Sequence, residues 1–234
     1  MTMILAIGGT DSSGGAGLTR DTAMAAELGV SVRPVVTAVT VQTNEAVLAV
    51  HPCAVQGVAD QARAALATPP RPGAVKIGML GSAAVAEAVE AALPAGLPIV
   101  LDPVLKASSG GTLMAADGFG ALLRRAALVT PNLAELEVLS GTGSTVETQS
   151  AALLSQGVQA VLVKGGHGSG PESIDLLFTA DHAPVPFAAP RLPVSKRGTG
   201  CSLATAIACH LAQGDSLQAA CRRGKDAVHR WLRR

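Results

Sequence analysis

The sequence predicts an α/β fold: a doubly wound, largely parallel sheet with helices on both faces. Three observations predict it. Short apolar or β-branched runs alternate with alanine-rich stretches of helical spacing along the 234 residues, the rhythm of strands covered by helices on both sides. About half of the residues are apolar, which suffices for a large core. Polar, glycine-rich segments recur just after strands, where open α/β sheets bind ligands. The length suits one domain spanning 1–234, and the chain shows no internal repeat, linker or low-complexity tract.

Taken in order, "MILAI" reads as a first strand that ends at Gly8 and Gly9. "AGLTRDTAMAAELG" reads as a helix closed by Gly29. "RPVVTAVTV" and "AVLAV" read as strands, and "PCAVQGVADQARAALA" as a helix stopped by "TPPRPG". The strand "AVKIGML" precedes the helix "SAAVAEAVEAAL", for which Ser82 is the expected N-cap. "PIVLD", "ALVTPN" and "QAVLVKGG" read as further strands, and "SIDLLF" with "APVPF" as a hairpin near the sheet's end. From Gly200 onward the chain reads as helical, with a break near Gly214 and Asp215.

Composition narrows the function. A formal net charge of +1 gives no general case for nucleic acid or an acidic membrane surface. Tyrosine is absent and the only aromatic residues are Phe119, Phe178, Phe187 and Trp231, too few for the stacking platforms of single-strand binders. A flat ring ligand would then be held by aliphatic contacts and hydrogen bonds. No apolar run approaches the ~20 residues of a membrane span. The four cysteines form no C-x-x-C pair, and the start lacks a charged n-region and a long apolar h-region. The expectation is a reduced, cytoplasmic protein with no nucleic-acid or membrane partner. Five histidines without metal-ligand spacing give no zinc site.

The strand-end segments carry the chemistry. "GGTDSSGGAG" is neither a G-x-G-x-x-G fingerprint nor a P-loop, since Gly15 and Ala16 stand where Lys and Ser/Thr belong. It reads as a flexible loop or as a backbone that must approach a ligand closely. Asp102 closes "VLD" as a turn residue before Pro103, or as a carboxylate on the magnesium or phosphate side. Asn132 and Glu135 in "TPNLAE" sit three apart at a helix start: an N-cap with its capping-box glutamate, or oxygen groups for magnesium and phosphates. Lys164, followed by two glycines, reads as a snorkelling edge lysine or a point charge for phosphate. In "RGTGCSLATAIACHLAQG", Gly198, Thr199, Gly200 and Cys201 open a helix whose first N–H groups are unpaired. That segment reads as an anion hole for a phosphoryl group in transit. The helix field there is expected to lower the Cys201 thiol pKa, which makes the residue a candidate base. Cys209 and Cys221 read as small apolar helix residues.

The pieces "IGGTDSSGGAGLTRD", "VTAVTVQTN", "VKIGML", "VLDPVLKASSGGTLM", "LVTPNLAELEVLSG", "VLVKGGH" and "RGTGCSLATAIACHLAQG" span nearly the whole chain. In this order they resemble the hydroxymethylpyrimidine/phosphomethylpyrimidine kinases of thiamine synthesis, within the ribokinase-like superfamily. The resemblance implies a ribokinase-like sheet and transfer of the ATP γ-phosphoryl group to the hydroxymethyl oxygen, then to the resulting phosphomonoester. It implies Asp21 and Gln42 on the ring nitrogens and amino group, with Gly9, Met79 and Val104 lining the ring's faces. Cys201 stands where the family has a catalytic cysteine in place of an aspartate base, and Gly198 to Cys201 form the anion hole. Asp102, Asn132 and Glu135 organise Mg2+ and phosphates, with Asp102 and Glu135 as metal ligands, and Lys164 touches the ATP phosphates. A homodimer is implied as well.

Three departures stand out. "QTNEAV" replaces the family's Q-N-T-x-G-V, and Ala46 stands for Gly. Lys196 and Arg197 replace Thr-His before "GTGC". The chain ends at Arg234, where the C-terminal segment that frames the nucleotide is trimmed relative to typical members. Lys196 and Arg197 read as solvated loop charges or as cations beside the transferring phosphoryl group. Rival activities are pyridoxal or pyridoxine kinase, which Gln42 and Met79 disfavour, and a non-catalytic pyrimidine-binding paralogue. The paralogue would be expected to lose Asp102, Lys164 or Cys201, and all three are present.

Overall fold

A computed structural model describes residues 1–106, 114–166 and 168–234. Nine strands form one sheet in the order β3-β2-β1-β4-β5-β6-β7-β8-β9. They are β1 (Met3–Gly9), β2 (Ser31–Gln42), β3 (Val47–Pro52), β4 (Ala74–Ile77), β5 (Ile99–Leu101), β6 (Leu128–Val129), β7 (Ala160–Val163), β8 (Glu172–Thr179) and β9 (His182–Pro190). The six central strands run parallel, and β3, β8 and β9 add antiparallel edges. The predicted hairpin is β8–β9, and its three prolines sit on an edge, where a missing N–H costs no ladder bond.

The parallel strands alternate between two cores, because successive side chains point to opposite faces. Leu5, Ile7, Val75, Ile77, Ile99 and Leu101 face one core. It is covered by α2 (Val55–Ala67), α3 (Ala83–Ala92), α4 (Gly120–Arg125), α5 (Leu133–Ser140) and α6 (Val146–Ser155). Ile4, Ala74, Val100, Leu128 and Leu162 face the other, under α1 (Gly17–Glu27), α7 (Thr199–Ala212) and α8 (Leu217–Leu232). This is the doubly wound arrangement expected. Cys209 and Cys221 lie in the second core as small apolar residues, and burial raises both thiols to about 12.

Several boundaries differ from the sequence reading: β4, β6 and β7 stop at Ile77, Val129 and Val163, short of the runs that carry them. β3 extends to Pro52, so α2 begins only at Val55. Helices α4 and α6 carry weak start signals and were not expected. The capping box of α6 pairs Thr145 with Thr148, not with the Glu or Gln of the usual signature. Ser82 caps α3 as expected, accepting from the Val85 N–H. Among the described residues, no helix is long and apolar enough to cross a membrane.

Strand order fixes where a ligand can sit. β2 lies on one side of β1 and β4 on the other, so connections leave the sheet in opposite directions there and open a crevice beyond the strand ends. Helix α7 runs over this switch point, buried continuously from Ser202 to His210. Its neighbour α8 approaches so closely that a Cβ on Gly224 would stand 2.7 Å from Ile207 Cγ1. Glycine to alanine in a helix interior normally gains about 1 kcal/mol. Here overpacking costs about 1–3 kcal/mol. Gly224→Ala should therefore lower the midpoint of denaturant unfolding; an increase would show that the two helices can separate freely.

Candidate active site

A cavity of about 690 Å³ opens at the switch point. Its floor begins with the loop after β1. The Asp11 carboxylate accepts from the Ser13 N–H (2.8 Å), the Ser13 hydroxyl (2.7 Å) and the Ala16 N–H (2.7 Å). The glycine-rich loop is thus wound around one buried carboxylate. Gly17 turns the chain into α1 with φ +57°, and any Cβ there would collide with the Gly9 carbonyl oxygen. Gly9 lets Met79 approach, since its own Cβ would lie 3.0 Å from the Met79 sulfur. The Thr37 hydroxyl donates to the Met79 carbonyl at 2.7 Å and fixes that wall.

The first turn of α7 forms the roof. Gly198 has φ +75°, and a Cβ would strike the Gly15 carbonyl oxygen. No side chain caps the helix, so its first amides point unpaired into the cavity with the positive end of the helix dipole behind them. A Cβ on Gly200 would stand 3.3 Å from Lys164 Nζ and 3.6 Å from Asp102 Oδ2. Glycine there lets the helix start approach this ion pair. Lys164 Nζ donates to Asp102 Oδ1 at 2.7 Å and lies 3.5 Å from Glu135 Oε2. Burial opposes the Lys164 charge, but Asp102 and Glu135 outweigh it and hold the ammonium above its ordinary range. Glu135 is raised by burial against the pull of Lys164.

Asn132 and Glu135 form the expected N-cap pair and also face the cavity. Asn132 accepts from the Glu135 N–H (2.9 Å), and Glu135 accepts from the Asn132 N–H (2.8 Å), a complete capping box. The same two residues line the cavity. Asp102 and Glu135 supply hard oxygen donors. Among the described residues, no three His, Cys, Asp or Glu side chains cluster to hold an ion alone. Two carboxylates fit magnesium held chiefly through phosphate oxygens and water.

Of the residues named from the sequence, Gly9, Gln42, Met79, Asp102, Val104, Asn132, Glu135, Lys164 and Gly198 to Cys201 all line this cavity. Asp21 does not, which corrects its expected contact with a heterocycle. It is fully buried, and both oxygens are taken: Lys76 Nζ donates to one and Thr205 Oγ1 to the other, each at 2.8 Å. Burial pushes its pKa up, against the pull of Lys76 and the Thr205 hydrogen bond. Lys76, itself 1% exposed, would be lowered by burial, but Asp21, Cys201 and Asp102 hold it charged. Its charge reaches Cys201 at the cavity wall. The sequence signal was present: a lysine inside the buried strand "AVKI" is an anomaly.

Cys201 also needs correction. Burial raises its thiol to about 11, against the pull of Lys76 and with Asp21 and Asp102 adding to the rise. Lys196 and Arg197 are not solvated loop charges: both line the cavity and both are held by protein groups. Lys196 donates to the Trp231 carbonyl (3.1 Å) and stands over that ring, and Arg197 bonds to the glycine-rich loop and the end of β2. α8 supplies the wall residues Val228, His229 and Leu232. The segment 107–113 and His167, parts of two quoted motifs, lie outside the described residues.

The phosphomethylpyrimidine kinase family matches residues 11–234. The chain belongs to that family of phosphotransferases. The hydroxymethylpyrimidine/phosphomethylpyrimidine kinase of Rhizobium meliloti is 39% identical over 98% of this chain and 90% of its own length. A crystal structure of phosphomethylpyrimidine kinase from Clostridium difficile superposes with TM-score 0.81 at 29% identity, over 99% of this chain and all of that one. Pyridoxal kinase from Staphylococcus aureus in complex with ADP gives 0.87 at 28% identity, over 99% and 88%. The family resemblance and the ribokinase-like fold expected from the motifs are thereby shown.

The ion pair under Cys201 separates stability from chemistry. Lys76→Met leaves the Asp21 carboxylate buried without its cation and should destabilise the fold by about 3–5 kcal/mol. Adding Asp21→Asn should recover most of that loss. Phosphoryl transfer by the double variant should remain impaired, because the positive charge beside Cys201 is gone. Full activity in a stable double variant would make the pair purely structural.

Proposed function

We propose that the chain is an ATP-dependent kinase of thiamine synthesis. It would phosphorylate the hydroxymethyl group of 4-amino-5-hydroxymethyl-2-methylpyrimidine, then the resulting monophosphate to the diphosphate. The observation that carries this reading is the approach of the open α7 start to the Asp102–Lys164 pair, in one cavity with Gln42 and Met79. That all nine strands join one sheet supports a single kinase domain. A cytoplasmic location belongs to the same proposal.

Gln42 would bond the ring edge while Gly9, Met79 and Val104 hold its faces without stacking. Cys201 as thiolate would take the hydroxymethyl proton as the new O–P bond forms. The P–O bond to ADP breaks in the same event, and ADP leaves with that electron pair. The backbone N–H groups opening α7 would receive the charge on the transferring oxygens, and Lys164 would pair with the donor's phosphates. Magnesium, held by Asp102 with Glu135 and the phosphates, would neutralise part of the phosphate charge.

A thiol raised to about 11 is mostly protonated at neutral pH, and only the thiolate is a base. The active fraction therefore grows as pH rises toward that value. We expect kcat/KM for the alcohol to increase about tenfold per pH unit through the neutral range. Cys201→Ala should lose that slope and roughly 10²–10⁴-fold in turnover. A flat wild-type profile, or near-normal turnover in the variant, would remove the cysteine from proton transfer.

A second reading, pyridoxal phosphorylation, is favoured by the higher TM-score with the Staphylococcus aureus enzyme. Mass spectrometry of the products from both alcohols with ATP and magnesium separates the two. A homodimer is also proposed, supported by the exposed apolar side chains Val39, Val41 and Leu48 at the β2–β3 edge. Leu48→Lys should shift the mass measured by light scattering from dimer toward monomer; an unchanged dimer would place the interface elsewhere.

A further inference from the structure

Arg197, one residue before the N-cap of α7, ties three segments together. Its Nη1 donates to the Ser13 hydroxyl and to the Thr43 carbonyl, both at 2.7 Å. Its Nη2 donates to Gln42 Oε1 at 3.0 Å and lies 3.3 Å from Asp11 Oδ2. The side chain is 17% exposed. The backbone of Gln42 is held as well: the Ser12 hydroxyl accepts from its N–H and donates to its carbonyl, each at 2.8 Å.

Arginine carries donors and no acceptor. The atom of the Gln42 carboxamide that faces it must therefore be the oxygen. Were the amide reversed, two donors would face each other beside an already crowded guanidinium. The amide nitrogen is left turned away from Arg197, and among the described residues it makes no hydrogen bond to protein. Gln42 lines the cavity within which Met79 and Gly9 form the apolar wall. A free glutamine reads either a donor or an acceptor. A glutamine whose oxygen is held offers only N–H.

We propose that Arg197 is a positioning residue for substrate selection: it fixes the Gln42 amide so that the pocket accepts a heterocycle with an unprotonated ring nitrogen at that edge and rejects one with C–H or N–H there. This rests on the proposed function for the choice of ligand. The position is one at which the chain departs from the Thr-His of its resemblance.

The test is binding, measured by isothermal titration calorimetry. The probes are 4-amino-5-hydroxymethyl-2-methylpyrimidine and its two deaza analogues, in which each ring nitrogen in turn is C–H. Wild type should bind one deaza analogue roughly 10- to 100-fold more weakly than the parent, since the Gln42 donor is then buried unpaired. In Arg197→Ala that ratio should fall to within about threefold, because the amide can turn. Gln42→Ala should show the same fall, and the double variant should match Gln42→Ala alone, because the two residues act as one unit. Affinity for ATP should hold in all of them.

A wild type that binds both analogues like the parent overturns the proposal. So does an Arg197→Ala protein that weakens parent and analogues equally, or an additive double variant; Arg197 is then a loop tether. Should Arg197→Ala not fold, Gln42→Glu keeps the arginine paired and removes the donor, and an unchanged ratio there also overturns it. A protein that shows the selectivity and its loss, yet phosphorylates neither alcohol, would defeat the proposed function and leave the Arg197 lock standing.

Discussion

The start of helix α7 sets the terms for everything around it. The helix is buried without interruption from Ser202 to His210 and lies across the strand ends of β4 and β5. A helix entering a core end-on brings unpaired N–H groups and a positive field into a space with little water. Such an end is stable beside anions. The structure answers with carboxylates, and those carboxylates require lysines of their own.

Charge gathers at the site in more than one cluster. Lys76 and Lys164 pair with Asp21, Asp102 and Glu135. Lys106, Arg191, Lys196, Arg197 and Lys225 also line the cavity, against Asp175. The lining is therefore net cationic before any phosphate enters, which suits phosphate-bearing ligands. Under the proposed function, the hard oxygen donors of Asp102 and Glu135 would hold a divalent cation beside those phosphates.

The sheet, its direction and its crevice were legible because they rest on period and punctuation. Alternating apolar runs, Gly29 after α1 and Ser82 before α3 each carry a local signal that survives folding. The open start of α7 was legible for the same reason: Gly198, Thr199, Gly200 and Cys201 are contiguous. What stayed hidden depends on pairs distant in sequence. Asp21 looked like a ligand-facing residue until Lys76, 55 residues on, and Thr205, 184 residues on, claimed its oxygens. Arg197 looked like a free charge until the loop at Asp11 and Ser13 and the end of β2 closed around it. The rise of the Cys201 pKa depends on burial and on two carboxylates that come from elsewhere in the chain.

That last shift exposes a conflict within the site. Asp21 and Asp102 hold two lysines charged in the core, and both also push the Cys201 thiol upward. Removing Asp21 would ease the thiolate and leave Lys76 as a buried, unpaired cation, a worse position by several kcal/mol. The chain keeps the lysines, and the base of the proposed mechanism is a reluctant one. In a loose phosphoryl transfer the hydroxyl surrenders its proton late, after the charge on the transferring group has met the amides and cations around it. Fixed dipoles and fixed charges, already in place before substrate arrives, then supply the larger share of the rate.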